Sequence, residues 1–136
     1  MAPSADQAHE QAGQGDSVIG WKLDRADRDD LLGRYPPRFT NVVADHVTLA
    51  SKASRNAPLP QETEALIVGQ ADDGKGVEAM IVAIGGTTDR PDGSVYHITW
   101  SLEDGRRARE SNALLASQKW KMFDPVPIRL RPARFE

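Results

Sequence analysis

The chain has 136 residues, 39% hydrophobic and 27% charged, with a net charge of −3 and no cysteine. That balance fits one globular domain with enough chain for a core, and it excludes disulfides, thiolate metal sites and a cysteine nucleophile. No stretch approaches the roughly 20 apolar residues of a membrane-spanning helix and the N-terminus has neither the basic nor the apolar region of a secretory signal, so the expectation is a cytoplasmic protein without a membrane partner.

Residues 1–17 are rich in Ala, Gln, Gly, Ser and Asp and show no hydrophobic period, which predicts a disordered tail ahead of a single domain over 18–136. Asp6, Glu10 and Asp16 carry the whole negative excess, since residues 1–20 contain no Lys or Arg. Val18-Ile19-Gly20-Trp21 begins the ordered part. Asp24 to Gly33 reads as a helix, with Asp24 as its cap, Leu31 and Leu32 as apolar contacts and Gly33 as its end. Asp27, Asp29 and Asp30 could be mistaken for a metal cluster. Asp27 and Asp30 would share a helix face with Arg34, and a solvated surface is the simpler reading. Pro36-Pro37 then forces an extended entry to the next element. Tyr35 and Phe39 flank it; aromatics there could stack on a base or pack in the core, and Tyr35 is kept as a candidate substrate contact.

Val42-Val43-Ala44-Asp45-His46-Val47-Thr48-Leu49 predicts a strand over 41–50. Alternation places Ala44, His46, Thr48 and Ala50 on one face and Val47 and Leu49 on the other. Lys52 continues the first parity and is a candidate phosphate contact, against a plain surface lysine. Residues 51–61 read as a loop. Glu64 to Gln70 and Val77 to Ile84 read as strands of a hairpin around Asp72-Asp73-Gly74-Lys75-Gly76. That turn lacks the Walker order and no helix follows it, so it is not a phosphate-binding loop. Gly85 to Gly93 is a flexible connection. Val95-Tyr96-His97-Ile98-Thr99-Trp100 predicts a strand over 94–102, with Val95, His97, Thr99 and Ser101 on one face and apolar Tyr96, Ile98, Trp100 and Leu102 on the other. Arg106 to Gln118 reads as a helix whose basic first turn is unfavourable to its dipole; Arg106, Arg107 or Arg109 could answer an anion there, or form a solvated turn. Phe123 to Leu130 reads as a last strand, at a sheet edge because of Pro125 and Pro127.

One tripeptide pattern thus occurs twice, as His46-Val47-Thr48 and His97-Ile98-Thr99. Each strand offers an imidazole and a hydroxyl side by side. Two imidazoles facing one cleft form an acid/base pair near neutral pH, and two threonine hydroxyls can donate to phosphate oxygens. The set suits in-line attack on a phosphodiester and calls for no metal or cofactor. The competing reading is two satisfied, partly buried structural histidines, with threonines that are ordinary strand composition.

The two H-x-T-hydrophobic segments, His46-Val47-Thr48-Leu49 and His97-Ile98-Thr99-Trp100, with Tyr35-Pro36-Pro37-Arg38-Phe39 leading into the first, resemble the 2H phosphoesterase superfamily. That superfamily includes the LigT-like RNA 2′-5′ ligases and the 2′,3′-cyclic phosphodiesterases. The resemblance spans roughly residues 21–136 and rests on eight positions. The chain is shorter than most members, its motifs lie closer together, and Ser101-Leu102 stands where many members have a basic residue. The resemblance implies an α+β fold with a central cleft and hydrolysis of cyclic phosphates or related RNA ends. Combined with the element pattern, the expected fold is a mainly antiparallel sheet carrying two helices, with the cleft between the two H-x-T strands.

On this reading His46 and His97 are the catalytic pair and Thr48 and Thr99 bind phosphate. The sequence leaves open which histidine is the base, and whether the direction is hydrolysis or RNA end joining. Residues 105–136 carry eight basic residues against Glu110, Asp124 and Glu136, a smaller basic footprint than proteins gripping long nucleic acid usually show. A nucleotide or an RNA terminus is therefore the expected substrate. The alternative is a non-catalytic nucleotide- or RNA-end-binding module of the same fold.

Overall fold

A computed structural model describes residues 2–117 and 119–135. In chain order the elements are α1 (Ala5–Glu10), β1 (Ser17–Leu23), α2 (Arg25–Arg34), β2 (Asn41–Val42), β3 (His46–Ala53), β4 (Glu64–Asp72), β5 (Val77–Ala83), β6 (His97–Leu102), α3 (Glu110–Ala116) and β7 (Trp120–Phe135). The fold is α+β. Seven strands form one sheet in the order β2-β6-β5-β4-β7-β1-β3, every pair antiparallel.

Strand β7 holds the sheet together. Its first part, Trp120 to Arg129, pairs with β4, and its last part, Leu130 to Phe135, pairs with β1. The expected short edge strand is therefore a 16-residue strand in the middle of the sheet. The prolines misled because each part of β7 is laddered along one flank, so Pro127 and Pro132 can lack an N–H without breaking a second ladder. Pro125 sits where the β4–β7 register shifts.

The two ends of the sheet meet through the backbone. The apolar run predicts one strand over 41–50, but the chain breaks at Ala44, a buried alanine at φ +44°. Val43 donates its N–H to Trp100 O at 2.9 Å and Ala44 to Thr99 O at 2.9 Å, both on β6. One residue later the chain belongs to the other end, where Leu23 N–H reaches Asp45 O at 2.9 Å and β3 pairs with β1. Arg28 of α2 holds this crossing, its Nε donating to Ala44 O at 2.8 Å and its Nη2 to Val43 O at 3.2 Å.

The apolar residues that alternation places inward are buried on both motif strands, and Ala50, Thr99 and Ser101 of the opposite faces are buried as well. Val47 and Leu49 of β3 join Ile98 and Trp100 of β6 in one apolar cluster with Trp21, Tyr96, Ile67 and Met80. Each buried indole has a partner: Trp21 Nε1 donates to Glu62 O and Trp100 Nε1 to Tyr35 O, both at 2.9 Å. Ser101 departs from its expected face. A register shift opposite Glu78 and Ala79 turns it into the interior, where it donates to the buried Glu78 Oε1 at 2.6 Å. Glu78 is satisfied without a cation, since Gln70 Nε2 and Arg38 N–H also donate to it.

The expected disordered tail is docked. Ser4 and Gln7 form a capping box around α1, and Ala5, Ala8 and Ala12 are buried. Ser54 N–H bonds Ala12 O at 2.7 Å, Gly15 N–H bonds Lys52 O at 2.9 Å and Gln61 N–H bonds Pro3 O at 2.7 Å. A six-residue helix is too short to stand alone, so these contacts sustain it. Its apolar share is two alanines, which give no hydrophobic period to read. Two other boundaries move: Gly33 lies inside α2, and α3 starts at Glu110 instead of Arg106, the expected end at Gln118 lying outside the described residues.

Ala8 is fully buried, whereas Glu10 is exposed. Ala8→Glu places an unpaired carboxylate in the core and is expected to destabilise by about 3 kcal/mol, while Glu10→Gln changes stability by less than about 0.5 kcal/mol. Urea denaturation of both variants checks this. Equal tolerance of the two changes would mean that the segment is not docked.

Candidate functional site

Strands β3 and β6 face each other across the crossing at residues 43–45. Their inner faces carry apolar side chains into the core, so His46 and Thr48 and His97 and Thr99 turn the other way. All four line a single cavity of about 370 Å³, together with Ser51, Arg90, Arg109, Asn112, Val18, Ala108 and Phe135. The remaining two candidates lie elsewhere. Beyond Leu49 the β1–β3 register shifts and Lys52 adopts φ +56°, so Ser51 takes the cavity face and Lys52 leaves it. Tyr35 stacks on Phe123 with ring centroids 5.1 Å apart, packing against the core.

The two imidazoles are anchored by the same nitrogen. His46 Nδ1 lies 3.1 Å from Asp45 Oδ2, and His97 Nδ1 lies 2.8 Å from the Val95 carbonyl oxygen. A carbonyl and an ionised carboxylate only accept, so Nδ1 carries the hydrogen in both rings and Nε2 is left to the cavity. Phe135 packs edge-on against the His46 ring at 4.7 Å between centroids. Asp45 is ionised: burial pushes its pKa up, but hydrogen bonds from Lys22, at 2.6 Å, and from His46 outweigh it and hold the group down to about 2.

Burial lowers the pKa of both histidines, and their surroundings differ. At His46 the hydrogen bond and charge of Asp45 oppose the burial. At His97 only a backbone carbonyl and the more distant Asp92 do so, while the Arg90 charge pushes further down. Both rings therefore rest neutral near pH 7, with His46 the better placed to accept a proton.

The hydroxyls differ as well. Thr99 Oγ1 lies 3.0 Å from Ser111 Oγ of α3, a bond that ties the helix to β6, and Thr99 is buried. Thr48 is half-buried.

Two arginines complete the lining, and only one was weighed from sequence. Arg106 is taken by Asp73 and Glu110, at 2.9 and 3.0 Å. Arg109 stands at the start of α3 and enters the cavity lining. Since α3 begins at Glu110, Arg106 and Arg107 precede its first turn, while Arg109 is its N-cap and still meets the positive end of the dipole. Arg90 is just 9% exposed; its Nη2 lies 2.9 Å from Asp92 Oδ2, and its Nε is buried without a partner. Burying a cation costs several kcal/mol, and an orphaned donor adds about 1–3 kcal/mol. One signal for Arg90 was in the sequence: it is the sole Lys or Arg between 76 and 105, in the turn before the second motif. Nothing in the pattern pointed to Phe135, Ser51 or Asn112.

A larger groove, about 530 Å³, runs between Leu66, Ala83, Pro127 and Ile128. It holds no histidine or hydroxyl, and its Arg129 is already paired with Asp27 at 3.0 Å, so the smaller cavity is the candidate site. Among the described residues no group of three or more His, Cys, Asp or Glu could hold a metal ion, and no helix is long and apolar enough to cross a membrane. No protein-family model, curated protein or solved structure matches the chain.

Asp45→Asn removes the charge that opposes burial at His46. The His46 pKa is expected to fall further while that of His97 stays in place, as read by NMR titration of the imidazole protons. Folding lowers the Asp45 pKa, so Asp45 contributes stability above the unfolded aspartate value, near pH 4, and loses it as pH falls toward about 2. With the side chain 32% exposed, solvent screening limits that contribution to about 1 kcal/mol, and the variant should lack this acid-dependent loss.

Proposed function

We propose that the cavity is a phosphodiesterase site for the 2′,3′-cyclic phosphate of a nucleotide or RNA end, working by two-histidine acid/base catalysis in the manner of the 2H phosphoesterases. The observation that supports this best is the convergence of two Nδ1-anchored imidazoles with two arginines and two threonines in a cavity that, among the described residues, no carboxylate lines. Such a lining favours an anion and keeps both Nε2 atoms for proton transfer.

The environments favour one division of roles. His97, without a carboxylate on its ring and beside Arg90, is the general base: its Nε2 takes a proton as water oxygen bonds to phosphorus. His46, backed by Asp45, is the general acid in its imidazolium form, which gives its Nε2 proton to the ribose oxygen as the phosphorus–oxygen bond to it breaks. The products are a phosphomonoester and a free ribose hydroxyl. Thr48 and the arginines stabilise the charge on the non-bridging oxygens. Thr99 joins them if its hydroxyl turns from Ser111. That existing bond favours a second reading, in which the cavity holds a phosphate end and does not turn it over.

Hydrolysis of a panel of 2′,3′-cyclic nucleotides and of a cyclic-phosphate-ended oligonucleotide, in EDTA, tests the proposal. Turnover is expected, and His46→Ala and His97→Ala should each lower kcat by about 10²- to 10⁴-fold. Because burial lowers both free-enzyme pKa values, kcat/KM should peak on the acid side of about pH 6.5, the ordinary histidine value. Binding of these ends without hydrolysis would favour the second reading. An alkaline optimum would remove the role assignment.

A further inference from the structure

We propose that Arg90 is the principal anion-binding residue of this cavity, its free guanidinium edge taking the non-bridging oxygens of a phosphate group. The ligand class rests on the reading above; the site itself rests on the geometry of Arg90.

Three observations carry it. Arg90 is nine-tenths buried yet lines the cavity beside His97. Its Nε is buried and unpartnered, a donor that neither the protein nor solvent satisfies. Its one counter-ion among the described residues, Asp92, is half committed elsewhere: Asp92 Oδ1 accepts from Ser94 N–H at 2.9 Å and Ser94 Oγ at 2.6 Å, leaving Oδ2 for Arg90 Nη2. The guanidinium is a planar fork with five donors. With a single ion pair made, it keeps the capacity to bind a phosphate at two points.

The turn that carries Arg90 is built to hold it still. Arg90 N–H donates to Ser94 O and Gly93 N–H to Arg90 O, both at 2.9 Å, and Gly93 supplies φ +91°. Asp92 therefore fixes the guanidinium from the exposed side of the turn. Arg109, the other cavity arginine, is exposed and has no such frame. The ordered, desolvated cation makes the stronger charge-assisted bonds.

The test compares wild type with Arg90→Gln, Arg90→Lys, Arg109→Gln and Asp92→Asn. Calorimetry reads the binding of inorganic phosphate and of a nucleoside 2′-monophosphate, and kinetics reads KM and kcat separately on 2′,3′-cyclic nucleotides. Arg90→Gln is expected to weaken phosphate binding and raise KM by about 10- to 100-fold, the range of a charge-assisted hydrogen bond. Arg90→Lys should recover part of the loss, and Arg109→Gln should cost less than about 5-fold. Should Arg90→Gln fail to fold, Asp92→Asn still decides: it leaves Arg90 in place without its counter-ion, and phosphate binding should tighten. Phosphate affinity and KM unchanged in both Arg90→Gln and Asp92→Asn, with hydrolysis intact, would overturn the role of Arg90 and leave the phosphodiesterase reading standing. Arg90-dependent phosphate binding with no hydrolysis on any substrate would do the reverse. Absence of phosphate binding by the wild type overturns the inference outright.

Discussion

The N–H of Ala44 reaches the carbonyl of Thr99, and the next residue but one is the histidine of the first motif. This short crossing, Val43 to Asp45, is the constraint on which the site depends. It is bonded to β6 on one side and leads into β3 on the other, so the two strands cannot shift independently. Arg28 donates to the Val43 and Ala44 carbonyls of the crossing and joins α2 to the same point. Without it, β3 and β6 are the far ends of an open sheet, with β5, β4, β7 and β1 between them. With it, His46 and Thr48 face His97 and Thr99 across one cavity.

The electrostatics follow from that geometry. Asp45 closes the crossing and collects Lys22 and Arg25, at 2.6 and 3.1 Å, as well as the His46 ring. The carboxylate is thereby kept ionised and out of the cavity lining, while acting on the cavity through one imidazole. Nothing equivalent stands behind His97, whose anchor is a neutral carbonyl and whose charged neighbour is Arg90. Two copies of one motif thus acquire different proton affinities from their surroundings. A repeat in the sequence becomes an ordered pair in space.

How much of this the sequence disclosed depends on the range of the forces involved. Period-two alternation is local, so the buried Val47, Leu49, Ile98 and Trp100 and their polar counterparts could be read from the strands alone. The capping Asp24 and the hairpin of β4 and β5 were legible for the same reason. What long-range packing decides was not: the break at Ala44, the bulge that exchanges Lys52 for Ser51, and the central position of β7 despite its prolines. Helix α1 escaped because its two alanines bury well and advertise nothing. Arg90 escaped because it sits among turn residues, where a cation is ordinarily solvated. Its burial is set by the docking of the 88–95 segment, through Tyr96 N–H to Thr88 O and the turn around Gly93.

Among the described residues the two non-glycine positions at positive φ are Ala44 and Lys52, at +44° and +56°, and they bracket the stretch that supplies His46, Thr48 and Ser51. Each such residue costs about 1–3 kcal/mol unless its surroundings fix it. For Ala44 the fixing is visible in its buried side chain, its bond to Thr99 and the guanidinium of Arg28 on its carbonyl. For Lys52 it is the carbonyl, which accepts from Gly15 N–H, so the docked N-terminal segment secures the bulge. A regular strand would need neither, but it would keep Lys52 on the parity of Thr48 and would not turn from β6 to β1 within three residues. The irregular backbone is therefore part of the means by which a short chain makes one face from two distant strands, and α1 helps to hold its far end.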